Sequence, residues 1–538
     1  MNTPDIRSRR WNGWGEQDID VPLSAHAAEL FAERIGPATV PNDVAMDTVL
    51  AAVPASRLPA HALVTTDAEQ RLRHSRGESF PDWIAKRHGQ IDSFPDGVAY
   101  PESNEQVREL LDWAKQQGVA VIPWGGGTSV VGHLTPEAKG KPVLSLDMSR
   151  MNQLLALDEM SMLATIQGGA PGPLIEQQLK DRGYVLGHLP QSWEYSTIGG
   201  WAATRSSGQQ SYRYGRIEQL FAGGRVETPT GSWEIPTIPA TGAGTDPREM
   251  FLGTEGRVGV ITEVKARVQK APAFEAFYGV FFPTWQQGEA AVREVAQQRL
   301  DVSLLRLSNE NETVSHLALA GRPGEIKWLK RYLALRGIKD GMCYMLFGLT
   351  GEKARCMRVK REVMAVLKRH GGVNTGTVFG KAWAEKRFKG AYIRNGMWDA
   401  GYGIDTFETA LDWNKVEPYM RDVQNRAEQV FAQFGEKALV FAHLSHVYRQ
   451  GSTVYTSCIF SLADSPEETL ARWQAFKKVV SDCIVEYGGT MSHQHGVGRD
   501  HKPWLAAEKG GELGLQGIRA LVNSFDPDEV MNPEILVD

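Results

Sequence analysis

The segment "VIPWGGGTSVVGHL" constrains the fold of this chain more than any other feature of the sequence. A short apolar strand running directly into three glycines predicts a turn whose backbone N–H groups converge on one point. Thr128 and Ser129 add two hydroxyl donors to that turn. Such a nest of donors is typical of a diphosphate site, although an ordinary glycine-rich turn explains an isolated GGGTS about equally well.

Two further stretches favour the ligand interpretation. "GHLPQSWEYSTIGGWAATRSSG" is crowded with small and hydroxyl residues, and "FLGTEGRVGVITEV" joins a glycine-rich turn to a strand. The first stretch has neither the GxGxxG spacing of a nicotinamide Rossmann fold nor the GxxxxGK[ST] spacing of a P-loop, so both of those classes are disfavoured. Together the stretches predict one pocket for a flat ligand.

The alternation of short strands and helices predicts an α+β chain of several domains. Ser103 caps a predicted helix that ends at Gly118, and "VAVIP" follows as a short buried strand. Beyond residue 271, strands alternate with long charged helices, which indicates a second α+β domain on an antiparallel sheet. The predicted divisions are 1–88 (a helical lead-in), 89–271, 272–440 and 441–538, the last completing the site.

Charge and cysteine content exclude several classes of protein. A formal net charge of −5 gives no basic excess for binding nucleic acid. The four cysteines lack CxxC spacing, which argues against a zinc site and a disulfide framework and favours a reducing compartment. No apolar run of about 18 residues and no secretory signal are found, so we expect a cytoplasmic protein.

The three glycine-rich stretches, in this order, resemble the FAD-binding domain of the vanillyl-alcohol-oxidase (PCMH-type) flavoproteins. The resemblance implies two α+β subdomains that clasp FAD, with a second α+β cap domain. No histidine or cysteine stands out for covalent attachment, so we expect dissociable FAD. The resemblance places the following residues around the flavin: Pro123, Trp124, Gly125, Gly126, Gly127, Thr128, Ser129, Pro190, Gln191, Ser192, Ser196, Thr204, Arg205, Ser206, Ser207, Glu255, Gly256, Gly259, Val260 and Ile261.

Other segments resemble the alkyldihydroxyacetonephosphate synthase family over about residues 9–538. They are "RWNGWGE", "VSLLRLSNENE", "GAYIRNGMWDAGYGIDTFETALDW", "GSTVYTS" and "TMSHQHGVGRDH". The resemblance implies that Arg394 binds a substrate phosphate, that Arg306 serves the site, and that Tyr455 moves a proton with His493 and His495 in support. A phenol is a poor base unless a neighbour shares its proton, so Tyr455 needs such a partner.

The family reaction exchanges the acyl group of acyl-dihydroxyacetone phosphate for a long-chain fatty alcohol in ether-lipid synthesis. The resemblance implies that it proceeds through a flavin N5 adduct without net redox change. It also implies lipid substrates, an apolar tunnel for their tails, peripheral contact with a membrane, and a homodimer.

Gln494 is where this chain departs from its relatives. The synthases have three consecutive histidines where this chain has His493-Gln494-His495, and glutamine cannot exchange protons near neutral pH. Flavin-dependent D-2-hydroxyacid dehydrogenases of the same superfamily hold a divalent metal with two histidines, matched here by His443 and His446, and a glutamate, matched by Gln494. Neutral glutamine is a poor ligand for such an ion.

Strand alternation also predicts that His443 and His446 face opposite sides, so we predict no metal site. Two alternatives stay open at this point: an FAD-linked oxidase or dehydrogenase of a 2-hydroxyacid or alcohol, and a non-catalytic flavin-binding protein. We expect His501, in "RDHKP", at the surface. Arg306 is expected either in an ion pair or against the flavin or substrate.

Overall fold

The computed structural model describes residues 6–319 and 323–538. The elements before residue 95 are α1 (Ala25–Arg34), α2 (Met46–Ala51), β1 (Val64–Thr65), α3 (Ala68–Arg73) and α4 (Phe80–His88). A capping box between Ser79 and Asp82 starts α4, and Gly89 ends it in the left-handed conformation at φ 68°. Phe80 and Trp83 of α4 join the largest hydrophobic core, so this part of the chain packs into the body of the molecule.

Two larger sheets and a two-stranded one form the region that carries the glycine-rich stretches. Its elements are β2 (Gly97–Ala99), α5 (Asn104–Gln117), β3 (Ala120–Trp124), β4 (Val143–Asp147), β5 (Leu154–Asp158), β6 (Leu163–Gln167), α6 (Gly172–Lys180), β7 (Tyr184–Val185), α7 (Ile198–Thr204), α8 (Ser211–Tyr214), α9 (Ile217–Leu220), β8 (Phe221–Thr228), β9 (Gly231–Ile235), β10 (Val260–Arg267) and β11 (Gln269–Lys270). The first sheet has the order β1-β2-β4-β3, the second, antiparallel sheet has the order β5-β6-β10-β8-β9, and the two-stranded sheet is made of β7 and β11. This arrangement confirms the predicted α+β class.

Local sequence places the first glycine loop. The Ser103 side chain accepts a hydrogen bond from the Gln106 N–H and starts α5, and Gly118 ends α5 at φ 67°. Strand β3 follows at once, pairs in parallel with β4, and ends at Trp124, where the glycines begin. The predicted helix, stop and strand are confirmed, and they bring "WGGGTS" out at the end of a buried strand.

A seven-stranded antiparallel sheet with the order β15-β12-β14-β13-β17-β18-β16 dominates the rest of the chain. Its strands and helices are β12 (Phe274–Phe282), α10 (Trp285–Gln297), β13 (Leu304–Ser308), α11 (Glu310–Leu319), α12 (Pro323–Leu335), β14 (Cys343–Gly351), α13 (Lys353–Arg369), β15 (Val373–Asn374), α14 (Val378–Lys386), α15 (Ile393–Asp399), β16 (Tyr402–Asp412), α16 (Trp413–Gln433), β17 (Ala438–Leu444), β18 (Gly451–Ser461) and α17 (Pro466–Tyr487). The predicted division at residue 440 falls inside β17, which pairs with β13 on one side and β18 on the other. The sheet is therefore continuous across that division.

The C-terminal segment, with α18 (Leu505–Glu508) and α19 (Glu512–Phe525), returns to the glycine-rich region. Asn532 donates to the carbonyl oxygens of His133 and Glu255, at 3.1 and 2.9 Å. His501 is buried at 4% exposure, and its Nδ1 lies 3.2 Å from the Gly496 carbonyl. The prediction of a surface position for His501 is wrong, because this docking covers a segment whose local sequence is polar. Among the described residues, no helix combines the length and apolar character needed to cross a bilayer.

Candidate active site

A cavity of about 620 Å³ lies between the glycine-rich region and the seven-stranded sheet. All three glycine-rich stretches line it. Of the residues expected around the flavin, these lie on its wall: Pro123, Trp124, Gly125, Gly126, Gly127, Thr128, Ser129, Pro190, Gln191, Ser192, Ser196, Thr204, Ser206, Ser207, Glu255, Gly256, Gly259, Val260 and Ile261. Arg205 does not; it ends α7 at φ 54° and forms an ion pair with Glu249.

The first loop is built for close backbone approach. A Cβ atom on Gly125 would lie 2.4 Å from Thr197 Oγ1, and one on Gly126 would lie 2.0 Å from the Tyr195 carbonyl oxygen. Gly127 adopts φ +70°. The loop therefore packs against the second stretch with no room for side chains, which leaves backbone N–H groups as its binding surface. These residues fit the diphosphate of FAD.

The segment "RWNGWG" near the N-terminus contacts this loop. Arg9 Nη1 donates to the Gly126 carbonyl at 2.7 Å, and its guanidinium carbon lies 4.4 Å from the centre of the Tyr195 ring. Trp14 meets the same ring edge to face, with 5.6 Å between the ring centres. The sequence marks this segment only through its resemblance to the family, and nothing in it predicts that Arg9 supports the loop.

Two histidines hold the hydroxyl groups of the second stretch, one from within the stretch and one from the segment after β17. Ser206 Oγ lies 3.1 Å from His188 Nε2, and Ser207 Oγ lies 3.1 Å from His446 Nδ1. Burial lowers the pKa of His188 to about 3, so that ring is neutral at physiological pH. The first bond braces the stretch internally, and the second connects it to the segment that follows β17.

The opposite wall is one face of β16, β18 and β17. Residues directly opposite each other on paired strands share a face, and each second residue along a strand returns to it. One row across the three strands is Glu408, Tyr455 and His443. The next row, about 7 Å along the strands, is Thr406, Ser457 and Phe441.

A further step of about 7 Å reaches Ile404 and Ile459. Met397 and Phe31 pack in the same apolar cluster as Ile459 and also line the cavity. The wall is thus ionisable at one end and apolar at the other.

Tyr455 occupies the centre of the ionisable row. Its hydroxyl donates to Thr406 Oγ1 at 3.0 Å, and burial raises its pKa to about 12. The His443 ring stacks on it at 4.9 Å between ring centres, and His495 meets it edge to face at 5.9 Å. At neutral pH Tyr455 is a phenol that donates a hydrogen bond, with two imidazoles as its neighbours.

Glu408 is a buried carboxylate that sequence reasoning did not single out. It accepts the Gln494 backbone N–H at 2.7 Å and lies 3.6 Å from Nδ1 of both His493 and His495. Burial alone would raise its pKa, but His495 and His493 hold that pKa well below its usual range. The only local signal was an acidic residue in the middle of an otherwise buried strand.

His493 and His495 have different surroundings. His495 lines the cavity. His493 Nε2 lies 2.5 Å from the Tyr448 hydroxyl and also contacts Arg216, which donates to the His493 carbonyl at 2.7 Å. The segment around them forms bends rather than a strand, so Glu408 brings the two rings together rather than a shared strand face.

His443 and His446 both line the cavity, so the expectation that they face opposite sides is wrong. Strand β17 ends at Leu444, and alternation does not continue to His446. The two rings take different partners: His443 Nδ1 lies 2.7 Å from Glu312, and His446 lies 3.0 Å from Ser211 Oγ. In residues 6–319 and 323–538, no three His, Cys, Asp or Glu side chains are grouped to hold a metal ion.

The two predicted arginines also reach the cavity. Arg394 Nη1 donates to the Glu78 carbonyl at 2.5 Å, and its guanidinium carbon lies 4.2 Å from the centre of the Trp83 ring. Burial lowers the pKa of Arg394. Arg306 forms an ion pair with Glu312 at 2.9 Å, so it is both paired and exposed to the cavity.

Comparison with known proteins agrees with this geometry. Residues 95–235 match the model "FAD binding domain", and residues 271–535 match "FAD linked oxidases, C-terminal domain". The alkyldihydroxyacetonephosphate synthase of Dictyostelium discoideum is 34% identical over 480 residues, covering 88% of this chain and 78% of the relative. The chain belongs to the alkyldihydroxyacetonephosphate synthase family.

Solved structures support the same assignment. A structure of alkyldihydroxyacetonephosphate synthase is 28% identical, with a TM-score of 0.84 over 98% of this chain and 99% of that one. The structure of p-cresol methylhydroxylase shares the fold at 13% identity, with a TM-score of 0.67 over 97% of this chain and 99% of that one. Members of the alkyldihydroxyacetonephosphate synthase family are FAD-dependent enzymes, and this chain has the PCMH-type fold with FAD as its cofactor.

Proposed function

We propose that this enzyme exchanges the acyl group of acyl-dihydroxyacetone phosphate for a long-chain fatty alcohol. The observation that carries the proposal is the graded wall of the cavity, which runs from Tyr455 and His443, beside the buried Glu408, to Ile404 and Ile459. A substrate with a charged, reactive head and an apolar tail matches that order. The names of the relatives supply the substrate class.

Arg394 is assigned to the substrate phosphate. Among the described residues, no carboxylate lies within ion-pair distance of its guanidinium, and burial disfavours its charge. A phosphate in the cavity would relieve that cost, because guanidinium and phosphate form paired charge-assisted hydrogen bonds. The Trp83 ring and the Glu78 carbonyl hold Arg394 in place for this contact.

His495 is assigned to the proton on the carbon that bears the ester, with Tyr455 as a donor. Tyr455 does not take the first proton from the substrate, because its raised pKa keeps the phenol protonated. An imidazole next to the Glu408 carboxylate is the better acceptor, since the carboxylate stabilises the imidazolium that forms. His493 supports this pair from outside the cavity wall through Tyr448 and Arg216.

FAD, when bound, supplies an oxidised electrophilic ring; the first glycine loop would hold its diphosphate. The chain's residues bind the phosphate, hold the proton-transfer groups and line the path of the tail. The apolar residues Phe31, Met397, Phe441 and Ile459 exclude water from that path.

The outer face of α12 supports a peripheral membrane contact, which would deliver apolar substrates. Trp328, Tyr332 and Leu335 are 71%, 41% and 87% exposed on one side of this helix. Lys330 and Arg331 lie among them, and cationic side chains beside exposed aromatic and apolar ones favour an anionic lipid surface. The homodimer and the cytoplasmic location stay predictions.

Anaerobic spectroscopy tests the exchange reaction. With acyl-dihydroxyacetone phosphate and fatty alcohol, we expect release of fatty acid without an electron acceptor, while the flavin stays yellow. A panel of 2-hydroxyacids and alcohols should leave the spectrum unchanged. Bleaching by a hydroxyacid or alcohol would instead identify an oxidoreductase, and no change with any substrate would leave only a flavin-binding protein.

A further inference from the structure

His443 and Glu312 form a second histidine–carboxylate pair that the roles assigned above do not use. Glu312 is 1% exposed, and its Oε1 lies 2.7 Å from His443 Nδ1. The first turn of α11 fixes this glutamate, because the Asn309 side chain accepts its backbone N–H at 2.9 Å. Arg306 donates to the same carboxylate oxygen at 2.9 Å.

This contact determines which nitrogen of His443 is available. Arg306 Nη2 also lies 3.3 Å from Nδ1, but the Glu312 contact at 2.7 Å is the shorter one. A carboxylate accepts hydrogen bonds, so Nδ1 carries the proton and Nε2 presents its lone pair. Burial, and then Arg306, lower the pKa of His443, which keeps the ring neutral and able to take up a proton. A carboxylate behind a neutral imidazole also orients bases in hydrolases, where it stabilises the imidazolium formed during the reaction.

His443 lies beside Tyr455 on β17, whereas Glu408, the carboxylate 3.6 Å from His495 Nδ1, lies beside Tyr455 on the opposite neighbour β16. The His443 ring is stacked on the Tyr455 ring with 21° between their planes, whereas the His495 ring makes an angle of 82° with it. Both imidazoles line the cavity. One reactive phenol therefore lies between two carboxylate-held imidazoles, His495 with Glu408 and His443 with Glu312.

We propose that His443 is a second proton-transfer group, which takes the hydroxyl proton of the incoming alcohol. This rests on the proposed acyl-for-alkyl exchange, which needs two such groups. The bond from carbon to the acyl oxygen breaks with its electron pair on the departing carboxylate. The alcohol oxygen bonds to the same carbon, and its proton passes to His443 Nε2 and then to solvent. His495, which exchanges its proton with solvent, gives a proton back to that carbon.

Variants that keep shape but cannot transfer a proton test this role. His443→Gln and Glu312→Gln are compared with His370→Gln, whose ring pairs with Glu294 at 2.6 Å outside the cavity. Two rates are measured on the FAD-loaded enzyme: release of fatty acid in the presence of alcohol, and exchange of the hydrogens on the ester-bearing carbon with deuterium oxide in its absence.

Loss of a positioned acid–base group costs about 10²–10⁴-fold. We expect His443→Gln to lose that much fatty-acid release while its deuterium exchange stays near wild type. Glu312→Gln should fall by at least about tenfold in the same rate only. Imidazole added to His443→Ala should restore part of the release, and His370→Gln should match wild type in both rates.

Two results would overturn the assignment: equal loss of both rates in His443→Gln, which a merely structural role would give, or retention of both. Failure of the proposed function looks different, because then the wild-type enzyme shows neither fatty-acid release nor deuterium exchange. The visible spectrum of each variant confirms that FAD is bound.

Discussion

Replacement of Gly126 by alanine should weaken FAD binding through a steric conflict that the structure locates. The added Cβ would lie 2.0 Å from the Tyr195 carbonyl oxygen and 2.6 Å from its carbon. Both are backbone atoms, so no side chain can rotate away, and the two loops must separate by roughly 1 Å. The ligand-free protein can let the loop move, so the penalty falls mainly on the FAD-bound state.

Overpacking of this kind costs about 1–3 kcal/mol. Since 1.4 kcal/mol is a factor of about ten in an equilibrium constant, the dissociation constant for FAD should rise by about 5- to 150-fold. The assay removes FAD, titrates it back and follows the quenching of flavin fluorescence. Thermal unfolding with and without FAD gives a second reading, because the stabilisation by a ligand falls with its affinity.

Gly517→Ala is the matched control. A Cβ at Gly517, inside α19, has nothing within 4 Å. Alanine is the better helix former by about 1 kcal/mol, so this variant should bind FAD as wild type does and be slightly more stable. If Gly126→Ala binds FAD within about twofold of wild type, the first loop is not the diphosphate cradle, and the position of FAD in this cavity must be reconsidered.

Three other changes have defined outcomes. Arg394→Met should raise KM for the phosphorylated substrate by about 10- to 150-fold with FAD retained, because one charged hydrogen-bonded contact of about 1.5–3 kcal/mol is lost. Loss of FAD during gel filtration would show that Arg394 serves the cofactor instead. Arg9→Met should speed FAD release, measured by stopped-flow fluorescence, because the Gly126 carbonyl loses its donor; unchanged release would remove the N-terminal segment from the cofactor site. Glu255 is buried, which raises its pKa to about 7, and it accepts the N–H groups of Val497 and Gly498. The folded state then keeps a proton that the unfolded state releases near pH 4.5. The contribution of Glu255 to the free energy of unfolding therefore falls by roughly 3 kcal/mol between pH 4.5 and 7. Urea unfolding across that range should show this pH dependence in wild type and less of it in Glu255→Gln, and an equal pH dependence in both would contradict the raised pKa.

The sequence predicts best those parts of the site in which backbone N–H groups form the binding surface. Glycines and hydroxyl residues in the three loops leave a local signature, and of the residues predicted there only Arg205 lies off the cavity wall. Its neighbours in "ATRSSG" gave no sign that the chain turns left-handed at this residue and directs the side chain to Glu249.

The carboxylates Glu408 and Glu312 could not be found in this way. Their partners are distant in the sequence: Glu408 accepts the backbone N–H of Gln494, 86 positions away, and Glu312 contacts His443, 131 positions away. A lone acidic residue in a strand or a helix start looks like solvated surface. His501 shows the converse, since a polar local sequence is covered by the docking of the C-terminal segment. Pairing across the sheet, rather than local pattern, decides these positions.

Gln494 contributes to the site through its backbone and through a buried side-chain oxygen. Its backbone N–H holds Glu408 at 2.7 Å, and any residue type supplies that donor. Its side-chain Oε1 is buried without a hydrogen-bond partner among the described residues, while the side chain lines the cavity. A buried acceptor of this kind is costly unless a ligand donates to it, and a hydroxyl group is the donor that the proposed alcohol would bring. In the proposed reaction, proton transfer depends on His495 with Glu408 and on His443 with Glu312, and neither pair uses a side chain at position 494.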